Sequence, residues 1–302
     1  MNICLSEAIP LLYLRNMSYI KYAWIATAIY GFETVVTKLT GKYAIKNPWL
    51  FNMLWNGLFV VFMIPFYFNS EVSIPHKWTS LLITSILSAV CCVLYVISLY
   101  RIDVSVLSPM YNVRTGFSVL FGVLLLGETL TPYKSILIGI IILMGLLVSF
   151  DESFSFKAFL TKNIIVALIF MVLLALYGVF LKKTIGEIGY WNATVWVAVL
   201  TAVILLFTYP KFKKDIKTLR RKQFLPVIFI TFTSLIAYLV SNKAYEVNVG
   251  ITTVIMSIPS SMIIAFIMSR IWPTLMEKHP LRVYAVRFFA AAIMFACAVQ
   301  LG

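Results

Sequence analysis

Long apolar runs separated by short polar or charged connections recur along the whole chain. They lie near residues 19 to 39, 48 to 68, 78 to 100, 103 to 126, 132 to 150, 162 to 183, 188 to 209, 223 to 245, 248 to 272 and 281 to 300. A helix crossing the roughly 30 Å hydrocarbon layer takes about 20 residues, so the pattern predicts ten membrane helices. A membrane β-barrel would show alternating polarity, and runs such as SILIGIIILMGLLVSF (135 to 150) have none. The third/fourth and eighth/ninth junctions are the least defined, because only Arg101 and Asp103, and Lys243 and Glu246, interrupt the apolar stretches there. Residues 1 to 18 have no basic leader and only a short apolar run, so they read as an N-terminal extension, neither a signal peptide nor a span.

The same pattern repeats at about half the chain length. AIYG (Ala28 to Gly31) returns as ALYG (Ala175 to Gly178) 147 residues later, with Lys38 following the first and Lys182 and Lys183 the second. LLLGETLTP carries Glu128 between spans four and five, and TLMEKHPL carries Glu277 between spans nine and ten, 149 residues on. This divides the chain into two five-helix repeats, 19 to 155 and 156 to 302. Five is odd, so the second copy enters the bilayer from the opposite face. Inverted halves meet about a pseudo-two-fold axis in the membrane plane and form a midplane site reachable from either side.

Composition narrows the class further. With 62% of residues apolar and 12% charged, against about 25% charged in soluble domains, the chain is an all-α integral membrane protein that presents apolar residues to lipid. Ten spans nearly exhaust 302 residues and leave no separate soluble domain. The net charge of +14 sits at the ends of apolar runs, where it faces headgroups, and implies no nucleic-acid partner. The segment PKFKKDIKTLRRKQ (Pro210 to Gln223) holds seven Lys or Arg and reads as a loop anchored at anionic lipid. Loops on that side hold 17 Lys or Arg against 7 on the other, which puts both termini outside by the positive-inside rule. Cys91 and Cys92 lie within an apolar run without metal-ligand spacing and read as packing residues. Neither a metal nor another cofactor is indicated.

Several residues resemble the drug/metabolite transporter superfamily in its EamA-like ten-helix branch. They are Tyr30-Gly31 and Tyr177-Gly178, SLYRIDVSVLSP (Ser98 to Pro109), the Gly127-Glu128 step and the glycines of span five, Gly139 and Gly145. The second half departs from the first, with WPTLMEKHP in place of LGETLTP. The resemblance implies export or exchange of small organic solutes such as amino acids, amines, nucleotide precursors or drugs without ATP. It also implies cytoplasmic termini, against the charge count, so orientation stays open.

Arg114 falls eleven positions into span four, where a charge is tolerated only if it faces protein or water and meets an anion. Its two readings are a ligand for a substrate carboxylate or phosphate and a structural ion pair. Glu33 in span one is the expected counter-charge and the candidate at which proton binding competes with substrate. The related small multidrug-resistance proteins also carry a first-helix glutamate, about one turn away. Pro109 and Pro259 fall in corresponding spans and read either as helix breaks bordering a binding site or as ordinary kinks, with Tyr111, Asn112, Ser257 and Ser260 beside them. Tyr30 and Tyr177 recur with the repeat and are candidate cavity residues. Arg287 reads as a snorkelling structural residue, and Ala292 and Ala296 as a small-residue face for packing or a homodimer.

Enzymatic chemistry is disfavoured. Asp103, Asp151 and Asp215 are far apart, His76 and His279 lie in loops, and no HExxH, GxSxG or GxxxxGK[ST] occurs. The sequence therefore points to a secondary active transporter in the cell membrane, exporting or exchanging a small metabolite such as an amino acid or amine, with protons as a candidate coupling ion. A multidrug or organic-cation exporter and a lipid-linked flippase are the alternatives.

Overall fold

In lipid every backbone N–H and C=O must be satisfied within the chain, which leaves an apolar run little choice but a helix. The computed structural model describes residues 19–69, 72–127, 129–149, 161–272 and 281–300, and among these it contains no strand. Helices α1 (Tyr19–Tyr43), α2 (Pro48–Asn69), α3 (Trp78–Arg101), α4 (Val104–Leu126) and α5 (Pro132–Ser149) make up the first part of the chain. Helix α6 (Lys162–Ile188) follows, then α7 (Tyr190–Leu205), which continues into a 3-10 turn (Leu206–Lys211) and the short α8 (Lys213–Ile216). Helices α9 (Arg221–Val247), α10 (Val249–Met256), α11 (Ser260–Ile271) and α12 (Leu281–Gln300) complete it. The extension 1 to 18, Glu128, Glu277 and the boundary at 155 and 156 lie outside the described residues, as do the side chains of Pro109 and Arg287.

Every predicted run is mostly helical in its described part, the run 248 to 272 with a break at 257–259, but length and apolarity alone qualify six helices to cross a membrane: Pro48–Phe68, Trp78–Arg101, Lys162–Ile188, Tyr190–Lys211, Arg221–Val247 and Val249–Ile271. Helix α1 falls outside this set because it carries Lys21, Glu33, Lys38 and Lys42 among its threonines. Much of that polarity is buried: Thr27, Glu33, Thr34, Thr37 and Thr40 all face the interior. Large apolar side chains instead lie outside, for example Phe32 on α1, Ile86 on α3, Leu124 on α4 and Phe232 on α9. This inversion of the soluble pattern is what a lipid solvent rewards. The protein is a multi-pass membrane protein.

Helix α1 packs on α9, α10 and α11, while α6 packs on α3 and α4. Helices α2 and α7 pack together, as do α5 and α12. Two lysines fasten this arrangement. Lys38 Nζ donates to Leu99 O at 2.9 Å and Ile102 O at 2.8 Å, where α3 ends; Lys182 Nζ donates to Val247 O at 2.8 Å, where α9 ends. The last carbonyls of a helix lack intrahelical partners and carry its negative dipole end, so a cation there both caps and clamps. Immediately beyond each clamp one residue, Asp103 or Asn248, serves as N-cap of the next helix. Helix α4 ends at Gly127, whose left-handed φ of 64° lets its N–H return to Gly122 O.

The basic segment does not float free. Phe212 is buried among Ile45, Leu50 and Phe51, Asn47 bonds Asp215 and the carbonyl of Lys211, and Gln223 bonds the carbonyl of Ala44. Its lysines remain at the surface while its backbone is tied to the α1–α2 turn. Replacing Lys38 with methionine should lower the detergent melting temperature more than the same change at the exposed Lys213, because it removes two charge-assisted bonds to the end of α3. Such bonds contribute about 1.5–3 kcal/mol each when buried, and less here because Lys38 is half-buried. Equal melting temperatures for the two variants would contradict the clamp.

Candidate functional site: a central aromatic cavity

Helices α1, α2, α3, α4, α6, α7, α9 and the α10–α11 break enclose a cavity of about 230 Å³. At about 30 Å³ per liquid water, this is room for roughly eight waters or one small organic molecule. Each helix contributes a stripe spaced by one or two turns. From α1 come Thr27, Tyr30, Gly31, Glu33 and Thr34; from α9 come Ser234, Tyr238, Ser241, Asn242 and Tyr245. Trp55, Asn56 and Phe59 come from α2, and Ser88, Cys91, Cys92 and Tyr95 from α3. Arg114, Glu33, Tyr111, Tyr30 and Tyr177, the five residues singled out from sequence, all line it.

The two charges do not meet. Arg114, 4% exposed, donates from Nη2 to the Tyr245 hydroxyl, and its Nε has no partner among the described residues. Glu33, 2% exposed, lies beside the Ser234 hydroxyl, and its Oε2 has no partner among the described residues. The expectation that Glu33 neutralises Arg114 is therefore corrected: Tyr245 occupies the guanidinium, and the carboxyl looks to α9 at a different level. Tyr111 is within electrostatic reach of both. Each charge thus keeps an unsatisfied atom in a site where leaving one unsatisfied is costly.

The tyrosines are held by light polar contacts that leave their rings on the cavity wall. Tyr30 Oη lies 3.4 Å from Ser241 Oγ, and Tyr95 Oη lies 3.3 Å from Thr34 Oγ1. Tyr177 is hydrogen-bonded to Tyr238, and Tyr111 meets Phe170 edge-on with centroids 6.2 Å apart. Cys91 and Cys92 line the cavity as free thiols, and no group of three or more potential metal ligands occurs among the described residues.

The two prolines behave differently. Helix α4 is continuous through Pro109. At the other site the helix stops at Met256 and restarts at Ser260 with Pro259 as N-cap, and Ser260 N bonds Ile258 O at 2.7 Å inside the turn. Side chains pin the break to its neighbours. Thr115 donates to Ser257 Oγ at 2.6 Å and Ser261 to Ser108 Oγ at 2.8 Å, both from or onto α4. Ser260 donates to Thr27 O at 2.9 Å and Thr27 to Ile255 O at 3.2 Å, joining the break to α1. Gly31 makes that junction possible: a β-carbon there would lie 2.8 Å from Ser260 Cβ and 3.1 Å from Ser261 N.

Sequence reasoning missed Tyr245, Trp55, Tyr95, Phe170 and Ser234. The signal was present in α9, where Ser234, Tyr238, Ser241, Asn242 and Tyr245 fall on one helical face of an otherwise apolar span.

A helical membrane protein with a central, partly polar cavity defines the general class. The sequence family that matches is the EamA-like transporter family, over residues 17–150. That match places the first part of the chain, residues 17–150, with the EamA-like transporters of the drug/metabolite transporter superfamily. No curated protein matches it. Its fold is similar to that of a crystal structure 14% identical in sequence, with a TM-score of 0.69 over 94% of this chain and 98% of the other.

Proposed function

We propose that the protein is a secondary carrier of a small zwitterionic organic solute, such as an amino acid, working by alternating access between two inverted five-helix halves. The observation that carries the substrate class is the cavity with one guanidinium and one carboxylate that do not neutralise each other. A solute with its own carboxylate and ammonium would satisfy both. Arg114 takes the anionic end and Glu33 the cationic end. The aromatic walls favour the organic-cation reading as second choice, for a solute that engages Glu33 alone.

The packing supports inverted halves. Exchanging α1 with α6, α2 with α7, α3 with α9, α4 with α10–α11 and α5 with α12 turns the α1·α9 contact into α6·α3 and α1·α11 into α6·α4. It maps α2·α7 and α5·α12 onto themselves. The lysine clamps exchange as well. The halves divide near residue 155, and the cell membrane is the proposed location. Alternating access then amounts to rocking one half against the other around the cavity.

Glu33 is the proposed proton site. Reconstituted in liposomes, Glu33→Gln should lose accumulation driven by an imposed pH gradient by about tenfold or more, while solute exchange at equal pH persists at reduced affinity. That split separates proton coupling from simple binding. Unchanged pH-driven accumulation in the variant would remove Glu33 from the coupling step.

A further inference from the structure

Two buried threonines meet where α3 crosses α6. Thr84 Oγ1 and Thr184 Oγ1 lie 2.8 Å apart, and each also lies 2.8 Å from the carbonyl one turn back on its own helix, Ser80 O and Phe180 O. Two hydroxyl hydrogens suffice for the bridge and one of these turns. The bridge is six residues from the start of α3 and four from the end of α6, towards the face at which α6 gives way to α7.

The offset of 147 residues that carries AIYG onto ALYG also carries Thr37 onto Thr184 and Thr84 onto Thr231. The mate of the Thr84–Thr184 bridge is therefore Thr231 with Thr37, where α9 crosses α1. Neighbouring contacts set these two level. On one side Gln223 Nε2 bonds Ala44 O, and on the other Ser234 lies beside Glu33. Thr37 is one turn from Glu33 and Thr231 one turn from Ser234, so both fall on the stripes that face each other. Yet they are not bonded. Thr231 donates to Val227 O at 2.7 Å, while Thr37, 0% exposed, has no partner among the described residues. It does not even return to the carbonyl one turn back, as Thr34 and Thr40 do on the same helix.

A buried hydroxyl without a partner is costly, and an apolar side chain of the same shape would avoid that cost. Position 37 instead holds an idle donor opposite a hydroxyl that still has lone pairs to accept with. A small slide of α1 on α9 would complete the bond that α3 and α6 already make.

We propose that the two threonine pairs are alternating latches, one for each face of the membrane, of which only one is closed at a time. The proposal rests on the reading of inverted halves and names the contacts that distinguish their two states. In the structure Thr84–Thr184 locks the α6–α7 face, and the α1–α2 face is released. In the opposite state Thr37 donates to Thr231, while Thr84 and Thr184 part and each falls back on its own turn.

Cys91 and Cys92 line the cavity and report the face to which it opens. A membrane-impermeant methanethiosulfonate is added to sealed vesicles of each orientation containing the full-length protein, and labelling of the peptide that carries both cysteines is read by mass spectrometry. Thr84→Val should shift the ratio of labelling rates towards the α6–α7 face by about five- to tenfold, and Thr37→Val towards the α1–α2 face by a similar factor. Each variant leaves the remaining threonine bonded to its own turn, so neither creates an orphan hydroxyl. Combining the two should bring the ratio back to within about twofold of wild type, which also shows that the single changes do not act by misfolding. If both faces label but the single variants do not shift in opposite directions, the latches are wrong and the inverted halves stand. Labelling from one face alone, in wild type and every variant, overturns alternating access and the latches with it.

Discussion

Replacing Arg114 with alanine is expected to reduce transport roughly 100-fold while the protein still inserts and folds. Among the described residues the guanidinium donates to Tyr245 and its Nε has no partner. A structural arginine at membrane depth would have its donors used up. This one is anchored at one edge and open at the other, as a ligand-binding group must be. A hydrogen bond to a charged group contributes about 1.5–3 kcal/mol, so losing the substrate bond and the charge together amounts to about two decades at 1.4 kcal/mol per decade. Arg114→Lys should recover little, because a point-like ammonium cannot hold Tyr245 and a carboxylate in the same fork geometry. Tyr245→Phe keeps the charge but frees its orientation, and should cost about tenfold. Uptake rates over a range of solute concentrations distinguish these cases: the Tyr245 variant should raise KM more than it lowers the maximal rate. Wild-type transport by Arg114→Ala would strip the anion-binding role from the residue.

Charge scarcity made the ends of the site legible. In a chain so poor in charge, an Arg and a Glu at membrane depth were conspicuous, and both face the cavity. What could not be read was their relation. Sequence position gives depth along a helix and, through the helical period, a face, but not which helix that face meets. Glu33 faces the Ser234 region of α9, and Arg114 reaches the far end of the same helix at Tyr245. The assumption that opposite charges at similar depth must pair overlooked a tyrosine hydroxyl as the competing partner.

The two prolines part company for a related reason. A proline removes one backbone donor, but a membrane helix can absorb that loss, as α2 does at Pro65 and α9 at Pro226. Helix α4 does the same at Pro109. A break appears at Pro259 because the surrounding serines offer alternatives: Ser257 Oγ returns to Thr253 O, and Ser260 N turns back to Ile258 O. The serines on either side, more than the proline itself, separate the two cases. The proposed repeat rests, by contrast, on span number and on the AxYG glycines, although the glycines do different work. Gly31 receives the α10–α11 break, whereas Gly178 lies against Tyr245, the residue that holds Arg114.

That difference yields the second large effect. Gly31→Val should abolish transport and sharply lower the melting temperature, because its β-carbon would lie 2.8 Å from Ser260 Cβ and 3.1 Å from the Ser261 backbone nitrogen. Neither atom is the end of a flexible side chain. To admit the methyls, α1 must part from α11, which also costs the Ser260–Thr27 and Thr27–Ile255 bonds. Overpacking costs about 1–3 kcal/mol, and losing two buried hydrogen bonds adds about 1–3 kcal/mol, which together approach the stability of an ordinary domain. Gly31→Ala should show the same defects in milder form. Gly178→Ala meets a ring edge at 3.2 Å that can tilt by a few tenths of an ångström, so it should leave folding intact and act through Tyr245 on solute affinity. Gly57→Ala, with nothing within 4 Å of the added carbon, should be neutral or slightly stabilising in a helix. Melting temperature and uptake measured across these four variants separate a general intolerance of lost glycines from a specific need at the crossing of α1 and the broken helix. If Gly31→Val transports and melts like Gly57→Ala, α1 does not hold the break in place.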